Sequence, residues 1–224
     1  MNIQDSIRDS PTDAYNIIYA DPPWAYNQNT GNGVLRKRDG TLRYPSMHVN
    51  ELVALGPEVQ RITKKDCALF LWATMPLLQE ALDTIRAWGF KYKTCFVTWV
   101  KSVKDGSRPS FGIGYYSRSN AELCLLAIKG KMPSYRHVIE GEQPRKPTCI
   151  QSVVVEPRRE HSRKPDCVRD KIVQLFGDIP RVEFFARTST PGWSLLGNDT
   201  TKFDQQQLSE EKYTRARKKR KSTQ

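Results

Sequence analysis

The chain has 224 residues, of which 38% are hydrophobic and 27% charged, a composition typical of one globular domain and not of a disordered or fibrous protein. No run approaches the roughly 18 consecutive apolar residues of a membrane-spanning helix, and the polar N-terminus lacks the pattern of a signal peptide. The formal net charge of +12 favours a polyanionic partner, because positive surfaces bind phosphates and release counterions.

Apolar runs alternate with amphipathic segments along the chain, and this alternation predicts six strands and three helices. The predicted strands are Asn16–Ala20, Cys67–Trp72, Thr94–Val100, Glu122–Lys129, Ser152–Val155 and Arg181–Ala186. The predicted helices are Val49–Val59, Pro76–Trp88 and Pro165–Phe176. Strands of nearly continuous hydrophobicity, separated by helices, predict an α/β fold with a mainly parallel sheet covered by helices on both faces.

We expect one domain over residues 1–203 and a basic, mobile tail over residues 204–224. Three long polar loops interrupt the domain at residues 27–45, 101–120 and 130–151. Loops of this length in a compact domain are usually either functional or disordered.

The five cysteines are scattered along the chain and form no C-x-x-C pair and no Cys/His cluster. This spacing predicts neither a metal site nor a disulfide framework. Three of them lie inside apolar runs, where a free thiol behaves as a small hydrophobic side chain. We therefore expect reduced thiols and no metal cofactor.

Asp21-Pro22-Pro23-Trp24 comes directly after the first predicted strand. Ligands of open α/β sheets bind beyond the carboxyl ends of the strands, and two prolines make the loop there rigid and rich in acceptors. The Asp21 carboxylate and a proline-loop carbonyl can accept both hydrogens of an aromatic amine. Trp24 offers a flat face for stacking, a contact worth roughly 1–3 kcal/mol per base. The alternative at this point is a plain turn with a tryptophan in the core.

Y-A-D-P-P-W resembles the catalytic motif of methyltransferases that act on adenine N6, and the chain resembles the MT-A70 family from about residue 14 to 199. The matching segments occur in family order. They are Phe70-Leu71-Trp72, Thr98-Trp99-Val100-Lys101, Gly112-Ile113-Gly114-Tyr115-Tyr116, Glu122-Leu123-Cys124-Leu125-Leu126, His161-Ser162-Arg163-Lys164-Pro165-Asp166, Glu183-Phe184-Phe185-Ala186-Arg187, Gly192-Trp193 and Gly197-Asn198.

The resemblance implies a Rossmann-like methyltransferase sheet in permuted order, with the catalytic motif before the elements that bind S-adenosylmethionine. By the same resemblance, the catalytic segment is Asp21-Pro22-Pro23-Trp24. The residues implied to bind the cofactor are Asp21, Tyr44, Lys164, Arg187, Asn198 and Asp199. Position 199 departs from the better-studied RNA enzymes of the family, which carry glutamine there.

The function implied is methyl transfer from S-adenosylmethionine to N6 of a flipped adenine, with DNA favoured over RNA because the chain is compact, like bacterial and phage members. RNA methylation and a catalytically silent nucleic-acid-binding or partner subunit remain the alternatives, and a partner methyltransferase subunit stays open. We expect no membrane contact, and a location in the cytoplasm of a bacterial or phage-infected cell, or in the nucleus of a eukaryotic host. The expected nucleic-acid or acceptor contacts are Arg36, Lys37, Arg38, Lys101, Arg118 and Glu122.

Overall fold

The computed structural model describes residues 2–25, 46–112, 114, 116–132, 150–159, 163–198, 200–201 and 204. Within these ranges, no helix has the length and apolar character needed to cross a membrane.

In the described residues, seven strands form a single sheet. They are β1 (Tyr15–Ala20), β2 (Thr63–Ala73), β3 (Lys91–Ser102), β4 (Ala121–Lys129), β5 (Val153–Pro157), β6 (Arg181–Phe184) and β7 (Ser194–Leu196), and their order across the sheet is β5-β3-β4-β2-β1-β6-β7. Four of the neighbouring pairs are parallel, whereas β4 runs antiparallel to both β2 and β3. The sheet is therefore mixed, with one reversed strand inside an otherwise parallel arrangement.

Among the described residues, five α-helices cover the two faces of this sheet. They are α1 (Ile3–Arg8), α2 (Val49–Ala54), α3 (Gly56–Ile62), α4 (Leu78–Ala87) and α5 (Cys167–Phe176), and a short 3₁₀ turn over Met75–Leu77 precedes α4. Successive strand residues point to opposite faces, so Ile18 and Ala20 of β1 pack with α1 to α4, while Ile17 and Tyr19 pack with α5. The predicted α/β fold with helices on both faces is confirmed.

All three predicted helices have different boundaries in the structure, and the one predicted over Pro76–Trp88 is a 3₁₀ turn followed by α4. The helix predicted at 49–59 is two helices, because Pro57 has no N–H group to donate to the last turn of α2. The helix predicted from Pro165 begins at Cys167. The N–H groups of Val168 and Arg169 there bond to the carbonyls three residues back, a tighter turn than that of an α-helix.

The last predicted strand ends earlier than expected, at Phe184 and not at Ala186. Phe185 has a φ of 60°, a left-handed conformation that is unusual for a residue other than glycine and that ends the strand. The N–H group of Ala186 then donates to the carbonyl of Leu196 at 3.2 Å, which holds the turned chain against the end of β7.

The sheet has a switch point between β1 and β6. From β1 the chain continues to β2 on one side, and from β6 it continues to β7 on the other. In doubly wound α/β folds, a crevice opens beyond the carboxyl ends of the strands at such a point, and ligands bind there. Asp21 follows β1 and Phe185 follows β6, so both lie at this crevice.

Candidate active site

The crevice at the switch point is a shallow cleft that is open to solvent. The two strands, the residues that follow them and the start of α5 supply its walls. The residues that line it are Tyr19, Asp21, Arg163, Lys164, Arg169, Glu183, Phe185, Arg187 and Thr188. Cations and carboxylates thus face each other across a narrow space that aromatic rings also line.

The backbone of the Asp-Pro-Pro-Trp segment is fixed by three hydrogen bonds. The N–H group of Trp24 donates to the carbonyl of Pro22 at 2.9 Å, within the segment itself. The chain returns at Met47, whose N–H group donates to the carbonyl of Pro23 at 2.7 Å and whose carbonyl accepts from Ala25 at 2.9 Å. Since a carbonyl oxygen has two lone pairs, that of Pro22 can accept one further hydrogen.

The indole ring of Trp24 is fixed by a second tryptophan. Its Nε1 donates to the backbone carbonyl of Trp72, at the end of β2, at 3.0 Å. The indole of Trp72 in turn donates to the phenol oxygen of Tyr19 at 2.7 Å. Trp24 packs partly buried against the core, and the rest of its surface is accessible. The sequence alternative of a core tryptophan is therefore correct for part of the ring.

Four charged side chains form an alternating cluster beside the motif. The Nζ atom of Lys164 lies 2.7 and 2.8 Å from the two carboxylate oxygens of Asp21 and 3.3 Å from Oε2 of Glu122. Lys101 pairs with the other oxygen of Glu122. The ring of Trp72 lies 5.6 Å from the Lys164 amine, within cation–π range. The cluster has no net charge and joins the ends of β1, β3 and β4 to the start of α5.

The cluster shifts the acid–base properties of its members. Burial alone would raise the pKa of Glu122, but Lys164 and Lys101 outweigh it, and the pKa lies below its ordinary value. Burial alone would lower the pKa of Lys164, but Asp21 and Glu122 outweigh it and raise that pKa, against a smaller opposing effect of Arg187. Lys164 is therefore cationic at neutral pH.

These shifts predict the pH dependence of stability. The contribution of Glu122 is present above its unfolded-state pKa, near 4.3, and is lost as the pH falls through the depressed folded value. Between about pH 5 and 3, we expect the free energy of unfolding to fall less steeply in Glu122→Gln than in the wild type, measured by urea unfolding. The control is Asp83→Asn, which breaks an exposed ion pair with Arg86 and should follow the wild-type slope. Equal slopes for Glu122→Gln and the wild type would contradict this account.

A second ion pair closes the floor of the cleft. Arg169 of α5 donates from Nε and Nη2 to the two carboxylate oxygens of Glu183 on β6, each at 2.6 Å. Both side chains are at most 10% exposed. Arg169 also lies 5.4 Å from the ring of Tyr19 and 3.2 Å from Asp166. The pair connects α5 to the centre of the sheet directly below the cleft.

The structure brings together several of the residues that the sequence singled out. Asp21, Lys164, Glu122 and Lys101 are in direct contact, and Arg187 lines the cleft nearby. Arg118 and Asn198 are exposed, and neither is among the residues that line the cleft. Tyr44, Arg36, Lys37, Arg38 and Asp199 lie outside the described residues, so their roles stay predictions. Within the described part of the chain, no group of His, Cys, Asp and Glu side chains could hold a metal ion.

Four residues of the site are not predicted from the sequence: Tyr19, Trp72, Arg169 and Glu183. A signal was available for two of them. Tyr19 is two residues before Asp21, so it shares that residue's side of the sheet. Arg169 is a charged residue on the apolar face of α5. No sequence pattern shows that the carbonyl of Trp72 accepts from the Trp24 indole, because that contact is made by the backbone.

Comparison with known proteins shows which chains this one resembles. The family model described as MT-A70 matches residues 15–199. The chain is 32% identical to the Type II methyltransferase M.MunI from Mycoplasma sp over 200 residues, which cover 84% of this chain and 78% of that protein. It is 23% identical to the N(6)-adenosine-methyltransferase subunit METTL3 from Danio rerio over 190 residues, which cover 81% of this chain and 27% of that protein.

Proposed function

The chain belongs to the MT-A70 family of methyltransferases, and from this premise we propose that it transfers a methyl group from S-adenosylmethionine to N6 of adenine in DNA. One observation carries the proposal. Asp21 and the Pro22 carbonyl lie at the carboxyl end of β1, directly beside the cleft whose other wall follows β6. This arrangement supports a site for the acceptor amine next to a site for the methyl donor.

The residues of the cleft fit the groups of S-adenosylmethionine. Asp21 is a carboxylate suited to an ammonium group, while Arg163 and Arg187 are cations suited to a carboxylate. The ring of Phe185 supplies an apolar surface in the same cleft. When bound, S-adenosylmethionine supplies a methyl group activated by the positive sulfur that carries it. The chain's own residues then have to bind the acceptor, orient it and take up its proton.

Asp21 and Pro22 would bind and orient the acceptor amine. An adenine amino group has its lone pair delocalised into the ring and is a poor nucleophile. When the Asp21 carboxylate and the free lone pair of the Pro22 carbonyl accept both amino hydrogens, the lone pair on N6 is localised and directed towards the donor. Methylation leaves one excess proton on N6, which departs through the Asp21 carboxylate to solvent. Much of the acceleration comes from this positioning.

Trp24 would hold the adenine ring. Its indole is fixed by the hydrogen bond to Trp72, so its plane is set before the substrate arrives. Stacking on such a preset ring is worth roughly 1–3 kcal/mol per base. Because the amino group of a paired adenine lies inside the duplex, the base has to leave the stack to reach this ring.

Lys164 would adjust the charge around Asp21. It contacts both Asp21 oxygens and also Glu122, so it can move between two carboxylates without losing an anionic partner. A carboxylate offers about four acceptor sites, so Asp21 can bind Lys164 and an incoming amine together. Lys164 thereby balances the Asp21 charge while the substrate binds.

DNA is favoured as the substrate, with RNA as the second candidate. The net charge of +12 suits either polyanion. The relative with the greater identity and coverage is named as a type II methyltransferase, and the more distant one as a subunit of an N(6)-adenosine-methyltransferase. That second name also supports a partner subunit as a candidate requirement for activity.

The proposal is tested by expressing the wild type and Asp21→Ala in a bacterial strain that lacks adenine methylation and mapping N6-methyladenine in genomic DNA. We expect methylation within one defined sequence in wild-type cells and none in Asp21→Ala cells. Purified protein is then given a labelled methyl donor with DNA or with RNA. Incorporation into RNA alone would change the substrate. No incorporation into either, alone or with cell extract, would favour the silent subunit.

A further inference from the structure

The connection between β3 and β4 begins and ends beside the cleft. We call its residues 103–120 the finger. At its base, the N–H group of Lys101 donates to the carbonyl of Asn120 at 2.8 Å. Lys101 and Glu122, one on each side of this base, both belong to the charge cluster that holds Lys164 against Asp21. The finger therefore projects from the same edge of the sheet as the proposed adenine site.

Two glycines make the outer part of the finger narrow. A Cβ atom at Gly112 would overlap the carbonyl oxygen of Ser119, and one at Gly114 would overlap that of Ser117. Only glycine allows the two arms to lie this close at either position. Tyr116 lies beyond the outer of these two contacts, the one between Gly114 and Ser117, and is therefore at the tip.

The tip presents an aromatic ring to solvent. Tyr116 is fully exposed, and Phe111 further down the finger is 73% exposed, with the guanidinium of Arg108 lying 5.7 Å from its ring. Exposed aromatic rings among basic side chains are the groups that stack on nucleic-acid bases while the cations contact phosphates. Lys104, Arg108 and Arg118 outnumber the single acid Asp105 in the finger, so the partner is expected to be anionic.

We propose that Tyr116 inserts into the DNA duplex beside the target adenine and fills the stack that the flipped base leaves. This inference rests on the proposed function. Extrusion of a base costs unstacking and unpairing energy, and an inserted side chain recovers part of it by stacking on the neighbouring bases. The finger is narrow and basic and has an aromatic residue at its tip. Because its base lies at the charge cluster of the proposed adenine site, it has the shape, charge and position for this role.

The test uses the DNA sequence found by mapping methylation, in two duplexes that differ opposite the target adenine. One duplex carries thymine there, and the other carries an abasic site, which removes the base pair that extrusion has to break. For Tyr116→Ala we expect kcat/KM to fall about tenfold on the paired duplex and less than twofold on the abasic one. Tyr116→Phe keeps the ring and should act like the wild type on both.

The matched control is Tyr92→Ala. Tyr92 is also an exposed tyrosine, but it lies near the start of β3, at the opposite end of the sheet from the cleft. It should leave both rates unchanged. Gly114→Ala, which forces the arms apart below the tip, should reproduce the selective loss of Tyr116→Ala.

A direct readout replaces the target adenine by 2-aminopurine, whose fluorescence rises when it leaves the stack. The wild type should raise the fluorescence, and Tyr116→Ala should raise it several-fold less. Two results would overturn this role of Tyr116. One is an equal loss of rate on both duplexes. The other is a smaller sedimentation coefficient for Tyr116→Ala than for the wild type, which would show that Tyr116 binds a protein subunit. Failure of the proposed function would be distinct, because the wild type would then methylate neither duplex.

Discussion

Replacing Asp21 by alanine is expected to lower the methylation rate by roughly 10²–10³-fold or more, the range found when one preorganised contact to a reacting group is removed. The carboxylate is one of the two acceptors proposed for the adenine amino group, and no other described side chain occupies its place at the end of β1. The Pro22 carbonyl remains, but one acceptor cannot hold both amino hydrogens. The rate is measured with a labelled methyl donor on DNA that contains the mapped target sequence.

Three comparisons separate chemistry from folding in that experiment. Asp21→Asn keeps the shape and one oxygen acceptor and should lose nearly as much activity, because its amide also places a donor towards the amine. Asp83→Ala removes an exposed carboxylate on α4, far in the chain from the motif, and should be fully active. Calorimetric titration should show that S-adenosylmethionine binding falls far less than the rate. Near-normal activity in Asp21→Ala would refute the mechanism.

The second large effect concerns stability. Arg169→Met leaves the Glu183 carboxylate buried without the guanidinium that donates two hydrogen bonds to it. The change is expected to lower the free energy of unfolding by about 3–5 kcal/mol. The cost is high because burial raises the pKa of Glu183 and Arg169 is the main group that opposes this effect. Urea unfolding monitored by circular dichroism measures the difference.

A double variant tests whether the cost comes from the unpaired charge. Arg169→Met combined with Glu183→Leu removes both charges and should recover much of the lost stability, since replacing a whole buried pair by apolar groups is often nearly neutral. Arg86→Met breaks the exposed pair with Asp83 and should change the free energy by less than about 1 kcal/mol. A double variant as unstable as Arg169→Met would show that packing, and not charge, is responsible.

The sequence predicted most of the strands because buried parallel strands are nearly continuous apolar runs. β7 has only three residues, and α1 has six, too few for a periodic pattern to stand out. The reversed direction of β4 was also outside the reach of sequence reasoning. Nothing in the run from Glu122 to Lys129 distinguishes a parallel strand from an antiparallel one, because a hydrophobic pattern reads the same in both directions along the chain.

The site was predictable where a local motif carried it. The position of Asp21-Pro22-Pro23-Trp24 directly after a strand indicates a site, and the family pattern around Lys164 indicates that this residue belongs to it. The contact between Asp21 and Lys164 joins residues 143 positions apart in the chain, and its geometry depends on where α5 meets the sheet. The left-handed turn at Phe185 could not be predicted either, because the residue there is not glycine.

The place of β1 between β2 and β6 has a consequence for synthesis on the ribosome. β1 is the first strand to emerge, but β6 follows it by about 160 residues, which take on the order of 8 to 30 seconds to translate at 5–20 residues per second. Through that interval one edge of β1 has no partner, and an unpaired apolar edge invites pairing with other chains. The nascent protein therefore carries an unpaired apolar strand edge for most of its synthesis, and chaperone capture is expected on that edge until β6 arrives.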